Sequence, residues 1–342
     1  MATGYTLWGT YQKQATWASG VIIEAIKESP IMRFAGEGPN NIIERKHEIQ
    51  KLRGEKIYFD LFLEMSNAPV TGNNELTGNE ETLVSYTDDV LLDRTRNAFK
   101  KYGDLEDMKS QKDLKAIGKD ILKQYFAQLM NSYSIRWLEG DSSLVWPEAV
   151  PATSTTRRSW GGDATGDDKT GSSDIASGDW LGCNEVVRAH YKAMLCDPKF
   201  RKLEIEGGKY FIMLMHPRQA YTLKLDSTFL SAQRDARERG KENPVFTGAL
   251  GSYMGMLLYE DENLWTNSSN DEACAIICGQ QAMMMAMGKG PKATYEVSDH
   301  ENRHSIGIDL IWGLRKSVFN SVDFSVMTMV TYATAPTGAA HS

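Results

Sequence analysis

LEDMKSQKDLKAIGKDILKQYFAQLMNSYSIRWL, residues 105–138, is the stretch whose reading decides the fold. It holds no proline and one internal glycine, Gly118. Apolar residues recur at helical spacing: Leu114, Ile117, Ile121, Tyr125, Leu129 and Tyr133, with Leu122, Phe126 and Met130 beside them. Asp104, Glu106 and Asp107 place negative charge where it suits a helix N-terminus, and Gly140 is a good C-terminal stop. At 1.5 Å per residue the helix would run roughly 50 Å. A compact chain of this length has a radius of gyration near ~20 Å. One helix would therefore cross the whole subunit, which predicts a flat or elongated body.

Working outward, the N-terminal side reads as an arm and a finger. Residues 1–40 form a polar arm dotted with aromatics, in which Trp17–Phe34 can hold a short helix, and which should lie on another surface. Residues 41–81 read as an extended loop built on a β-hairpin. Ile57, Phe59, Leu61 and Leu63 alternate with Tyr58, Asp60, Phe62 and Glu64, the charged run 42–51 is the other arm, and Arg53-Gly54 is the turn. The turn-rich run 65–81 is its base. Residues 82–140 supply a further strand (Leu83, Tyr86, Val90, Leu92) and then the helix.

On the C-terminal side, composition shifts at 141–182, where Gly, Ser, Thr and Asp dominate, and a flexible insertion is expected. Residues 183–272 read as a compact α/β unit. It has a helix at Glu185–Leu195, an apolar central strand at 209–215, a helix opened by Pro217, a second capped by Asp226-Ser227 and running over Thr228–Arg239, and a strand at Met256–Tyr259. Residues 273–335 return as short antiparallel strands, and 336–342 form a tail.

Composition limits what the chain can do. The net charge of −7 argues against a protein that coats nucleic acid by neutralising phosphates. No apolar run is long enough to cross a bilayer, and the opening residues lack the basic head and apolar core of a signal peptide. The four cysteines, Cys183, Cys196, Cys274 and Cys278, have no framework spacing and are expected as reduced thiols.

His300-Glu301-Asn302-Arg303-His304 is a literal HExxH, which on a helix would hold zinc between the histidines with the glutamate as base. Strand-like sequence flanks it on both sides, so a tight turn is expected and the zinc-dependent hydrolase is the alternative reading. Cys274 and Cys278 cannot complete a zinc site with His300 and His304, because four strand residues separate the sulfurs by roughly 13 Å. Met283, Met284, Met285 and Met287 are expected to fill a buried sheet rather than bind copper. Arg157, Arg158 and Trp160, with Asp163, Asp167 and Asp168, read as a solvated mixed loop without calcium-loop spacing. Gly288-Lys289-Gly290 lacks the surrounding pattern of a phosphate loop. No catalytic, cofactor-binding or metal-binding residue is assigned, and no cofactor is expected.

The order of parts carries a resemblance. Gly54–Phe59 looks like a glycine turn and rising strand of an extended loop, and Val70-Thr71-Gly72 with Glu75–Glu81 like its base. Residues 243–251, NPVFTGALG, look like a loop of an axial domain, and Trp312–Phe319 like a return strand of a peripheral domain. Over roughly residues 5–332 the chain resembles the major capsid proteins of tailed bacteriophages, a fold shared with herpesvirus capsids, and is nearest a podophage-type branch. That resemblance implies an α+β fold with a long spine helix, an extended β-hairpin loop, a peripheral domain and an axial α/β domain. It also implies a structural, non-enzymatic protein. Copies would form pentamers and hexamers of an icosahedral shell around double-stranded DNA, assembled in the host cytoplasm with scaffolding, portal and decoration proteins and without a membrane. The segment 141–182 has no counterpart in that pattern.

Overall fold

The computed structural model describes residues 21–27, 29–46, 56–62, 67–82, 85–100, 114–161, 170–205, 207–235, 250–267, 271–298, 300, 302–319 and 321–334. In chain order, a helical stretch 21–27 leads to β1 (Ala35–Gly36) and β2 (Ile43–Lys46), then β3 (Lys56–Phe62), β4 (Ser85–Leu91), β5 (Asp93–Lys100) and the long helix α1 (Leu114–Glu139). There follow β6 (Arg158–Trp160), α2 (Cys183–Leu195), β7 (Leu203–Ile205), β8 (Gly208–Met215), α3 (Pro217–Leu225), α4 (Ser227–Asp235), β9 (Ser252–Tyr253), β10 (Met256–Glu260) and β11 (Thr266–Asn267). The chain ends through β12 (Glu272–Cys278), β13 (Met283–Ser298), β14 (Arg303–Lys316), β15 (Val318–Phe319), β16 (Val322–Asp323) and β17 (Val326–Tyr332).

These elements make layers. An eight-stranded mixed sheet runs β6-β17-β12-β8-β10-β9, with β11 on β12 and β7 on β8. Its inner strands are apolar on both faces because both faces are covered. Phe211, Met213, Met215, Ala275, Ile277, Met327 and Met329 meet α2, α3 and α4. Ile212, Leu214, Ile276, Cys278 and Val326 turn the other way, toward α1 and a five-stranded sheet, β1-β2-β13-β14-β5. The helix therefore lies in the main core, as the spacing of its residues predicts. Each large apolar side chain buried there contributes about 1.5–3 kcal/mol.

α1 spans 26 residues, about 39 Å of axis; the expected turns over 105–113 lie outside the described residues. Gly118 is there because the helix crosses β5 too closely for anything larger: a Cβ would stand 2.4 Å from the Phe99 ring. Gly140 stops the helix at φ +73°, with the Thr153 hydroxyl donating to the Glu139 carbonyl at 2.6 Å. One feature departs from expectation. Leu122, Phe126 and Met130 are buried, whereas Ile117, Ile121 and Tyr125 stay exposed. The apolar set covers a wider arc than one core-facing stripe needs.

Five further expectations are corrected. The described part of the arm lies on its own chain: Val21, Ile22, Ala25, Ile31 and Met32 pack in the main core, and the Ser29 hydroxyl and Ile31 N–H donate to Asn131 Oδ1. Residues 1–20 lie outside the description. The hairpin expected over 41–81 is divided differently. β2 runs parallel to β13, because Ile42 and Ile43 are drawn fully into the core. β3 pairs with β4, Lys56 opposite Leu91 and Phe62 opposite Ser85, because Ile57 and Phe59 find Val90, Met284 and Ala286 there. The Arg53-Gly54 turn lies outside the described residues.

The third correction concerns the insertion expected at 141–182. Its described parts are built into the body: Leu144 and Val150 are in the main core, β6 is a sheet strand, and Trp146 packs against both Tyr133 and Trp312, 4.9 and 4.6 Å between centroids. A few apolar side chains, well placed, suffice. Fourth, Arg157, read as solvated, is 1% exposed, donates to the Pro198 carbonyl at 2.7 Å and lies over the Phe200 ring. Asp163, Asp167 and Asp168 lie outside the described residues. Fifth, the short strands expected across 283–313 are two long ones, β13 of 16 residues and β14 of 14. Gly288-Lys289-Gly290-Pro291 is no break but a bulge, with register shifts between Met287 and Lys289 and between Lys289 and Lys292.

Candidate assembly surfaces

The residues that sequence chemistry singled out do not converge. His300 sits at the turn between β13 and β14 with φ +48°, and His304 is in β14 opposite Val297, its ring hydrogen-bonded to the Tyr295 hydroxyl. Glu301 lies outside the described residues. On a hairpin the i,i+4 face of a helix does not exist, so the two histidines lose the geometry the zinc motif requires. Cys274 and Cys278 are free thiols on β12 in the other sheet, and burial pushes Cys278 up to about 12. Among the described residues no three His, Cys, Asp or Glu side chains group to hold a metal. Met283, Met285 and Met287 pack in the main core, and Met284 packs with the β3–β4 pair. The methionine run is thus buried sheet.

What the chain does carry is exposed apolar surface on ordered elements. The excursion 67–82 between β3 and β4 buries almost nothing, and Leu76 there is 61% exposed. Its own side chains hold its shape: Glu81 accepts from the Asn67 N–H, and the Asn74 and Asn79 amides donate to the Thr71 and Glu75 carbonyls. On α1, Ile117, Ile121 and Tyr125 form a second patch at i, i+4, i+8, with Ile121 57% exposed. On the far side of the molecule, α2 presents Val187, Tyr191, Met194 and Leu195, and α3 presents Tyr221 and Leu225. Contiguous apolar surface of this kind marks a place where another molecule packs.

The root of the β3–β4 pair is clamped by charge. Arg315 on β14 donates to the Asp89 carbonyl at 2.8 Å and lies 3.3 Å from Asp88 and 3.5 Å from Glu148. Lys56 meets Asp89 at 2.7 Å and holds its carboxyl below the usual range, whereas burial pushes Asp88 up despite Arg315. A guanidinium satisfying several acceptors fixes orientation as well as energy. Beside it, Lys316 and Asp323 form a fully buried pair at 3.0 Å, and desolvation lowers the lysine. On the outer face of the five-stranded sheet, Arg94 grips Asp309 and keeps its carboxyl ionised to lower pH. No sequence motif announced Arg315. The patch on α1 was not announced either, since its residues share the helical period of the buried ones.

Comparison with known proteins gives a consistent answer. The phage capsid protein family profile matches residues 6–335. The major capsid protein of Pseudomonas phage KPP25 is 24% identical over 363 residues, 95% of this chain and 96% of that one. The capsid of Ralstonia phage GP4 superposes with TM-score 0.77 at 26% identity, over 89% of this chain and 90% of that chain. The Cyanophage Pam1 capsid shares the fold, with TM-score 0.76 at 22% identity over 91% and 94% of the two chains. The layered sheets, the long buried helix and the exposed finger are the subunit architecture of a shell protein, and the chain belongs to the phage capsid protein family.

Proposed function

We propose that copies of this chain close into pentamers and hexamers of an icosahedral shell enclosing double-stranded DNA, and that the chain does no covalent chemistry. The observation that carries the reading is the apolar surface left open on the finger 67–82, on α1 and on the outer helices α2 and α3. Different patches on one subunit make head-to-tail contacts, which form rings when the rotation closes. In this reading the excursion 67–82, rooted on the β3–β4 pair, reaches a neighbour, the five-stranded sheet with α1 is the peripheral unit, and 183–272 is the axial unit around the ring. The negative net charge suits a wall that encloses DNA without sequence-specific contacts. Scaffolding, portal and decoration proteins in the host cytoplasm complete the assignment.

Negative-stain microscopy of the chain expressed with a scaffold tests it. Shells or ring-shaped capsomers are expected; a stable small monomer under every condition overturns it. Replacing 67–82 by a short Gly-Ser linker should leave a folded chain that makes no shells, and normal shells from that variant would remove the finger from the mechanism.

A further inference from the structure

The stretch after α1 brings a cation to a place where the chain keeps an acid. Glu139, the last residue of α1, is 7% exposed. Its Oε1 accepts the Trp265 N–H at 2.6 Å. Beside it lies a cavity of about 210 Å³, lined by Glu139, Asp141, Arg158, Trp265, Cys274 and Thr328 among others. Two groups on its wall are buried without a hydrogen-bond partner: Arg158 Nε and the hydroxyl of Thr328, a residue 2% exposed. Polar orphans around a space of this size imply that water fills it. Arg158 lies over the Trp160 ring, 5.6 Å away, and the cation that acts on Glu139 as it stands is Arg136.

The groups facing Glu139 come from every element packed around it. Arg136 is on its own helix and is taken up by Asp141 at 2.7 Å. Asp141 and Asp261 oppose ionisation of Glu139, Arg136 favours it, and the Cys274 thiol stands close by. Farther along β14, Lys316 feels Arg158 but is paired with Asp323. Among the described residues, Arg158 is therefore the cation on this cavity that no carboxylate holds.

We propose that this chamber is a proton-operated joint between α1 and the eight-stranded sheet. With Glu139 protonated, the acid and Arg158 stand apart across water. When the proton leaves to solvent, the guanidinium turns from Trp160 to the new carboxylate and draws β6 toward the end of α1. Burial places that event high, raising Glu139 from 4.5 to about 8. The joint is a property of the single chain and holds whatever shell the copies build.

The sign follows from linkage. The folded state binds the Glu139 proton more tightly than the unfolded chain does. Stability relative to a Glu139→Gln variant is therefore greatest below pH 4.5, falls as pH rises toward about 8 and levels beyond. The test is the thermal midpoint of the full chain from pH 5 to 10 for wild type, Glu139→Gln, Arg158→Gln, Arg158→Lys and the double glutamine variant. Wild type should fall against Glu139→Gln and then level. Arg158→Gln should move that break up by about one unit or more, because the carboxylate loses its cation. Arg158→Lys should keep it near wild type, and the double variant should show none. An infrared carbonyl band from the protonated acid, present at neutral pH and absent in Glu139→Gln, reads the same proton in folded protein and serves if Arg158→Gln does not fold. Parallel midpoint profiles for wild type and Glu139→Gln, or the absence of that band, overturn the buried proton. An unmoved break in Arg158→Gln, or a break in Arg158→Lys displaced well away from wild type, overturns the pairing.

Discussion

Two turn-rich segments of this chain have opposite fates. Residues 67–82 and 141–161 are both rich in small polar residues and turn formers. The first stays outside, held in shape by its own asparagines and glutamates. The second is sewn into the body. Trp137 Nε1 donates to the Trp146 carbonyl at 2.9 Å, Trp146 packs against Trp312, and Arg315 reaches Glu148. The buried segment carries seven apolar side chains in 21 residues, two of them tryptophan, and the exposed one three in 16. What decides burial is whether two or three large side chains sit where facing layers leave room for them.

That contrast can be broken at its strongest point. Trp146→Ala removes the ring packed on Tyr133 and Trp312 and should cost about 3–5 kcal/mol in denaturant unfolding. A loss below about 1 kcal/mol would mean that 141–161 is as loosely attached as 67–82. Gly140→Ala comes next. It forces a side chain into φ +73° and puts a Cβ 2.4 Å from Thr153 N, so about 1–3 kcal/mol should be lost, seen as a lower thermal midpoint. Leu76→Ala should be smallest, within about 0.5 kcal/mol on the isolated chain, because that side chain touches little of its own subunit. Its effect should appear in shell yield by sedimentation. If Leu76→Ala instead lowers chain stability as Trp146→Ala does, the two segments are alike after all.

The sequence carried some of this and hid the rest for physical reasons. Period and caps located α1, α2, α3 and the apolar run at 209–215, because each is a local property of consecutive side chains. Strand partners were not local. Ile57 and Phe59 announced a strand, but nothing in their neighbourhood told that the partner was 85–91 and not 42–51. The bulge at 288–291 reads as a stop in one dimension and as continuous pairing in three. The patch on α1 was hidden because Ile117, Ile121 and Tyr125 stand in the same helical period as buried residues, and Arg315 gave no sign because a clamp is defined by what surrounds it.

Met283, Met284 and Met285 are shielded on both faces of β13. Thioethers kept this dry oxidise only when the sheet opens, and a sulfoxide formed there would not fit back. Peroxide labelling read by mass spectrometry therefore turns these sulfurs into a clock for the breathing of the innermost layer, one that runs without any probe being attached and can be compared between the free chain and the finished particle.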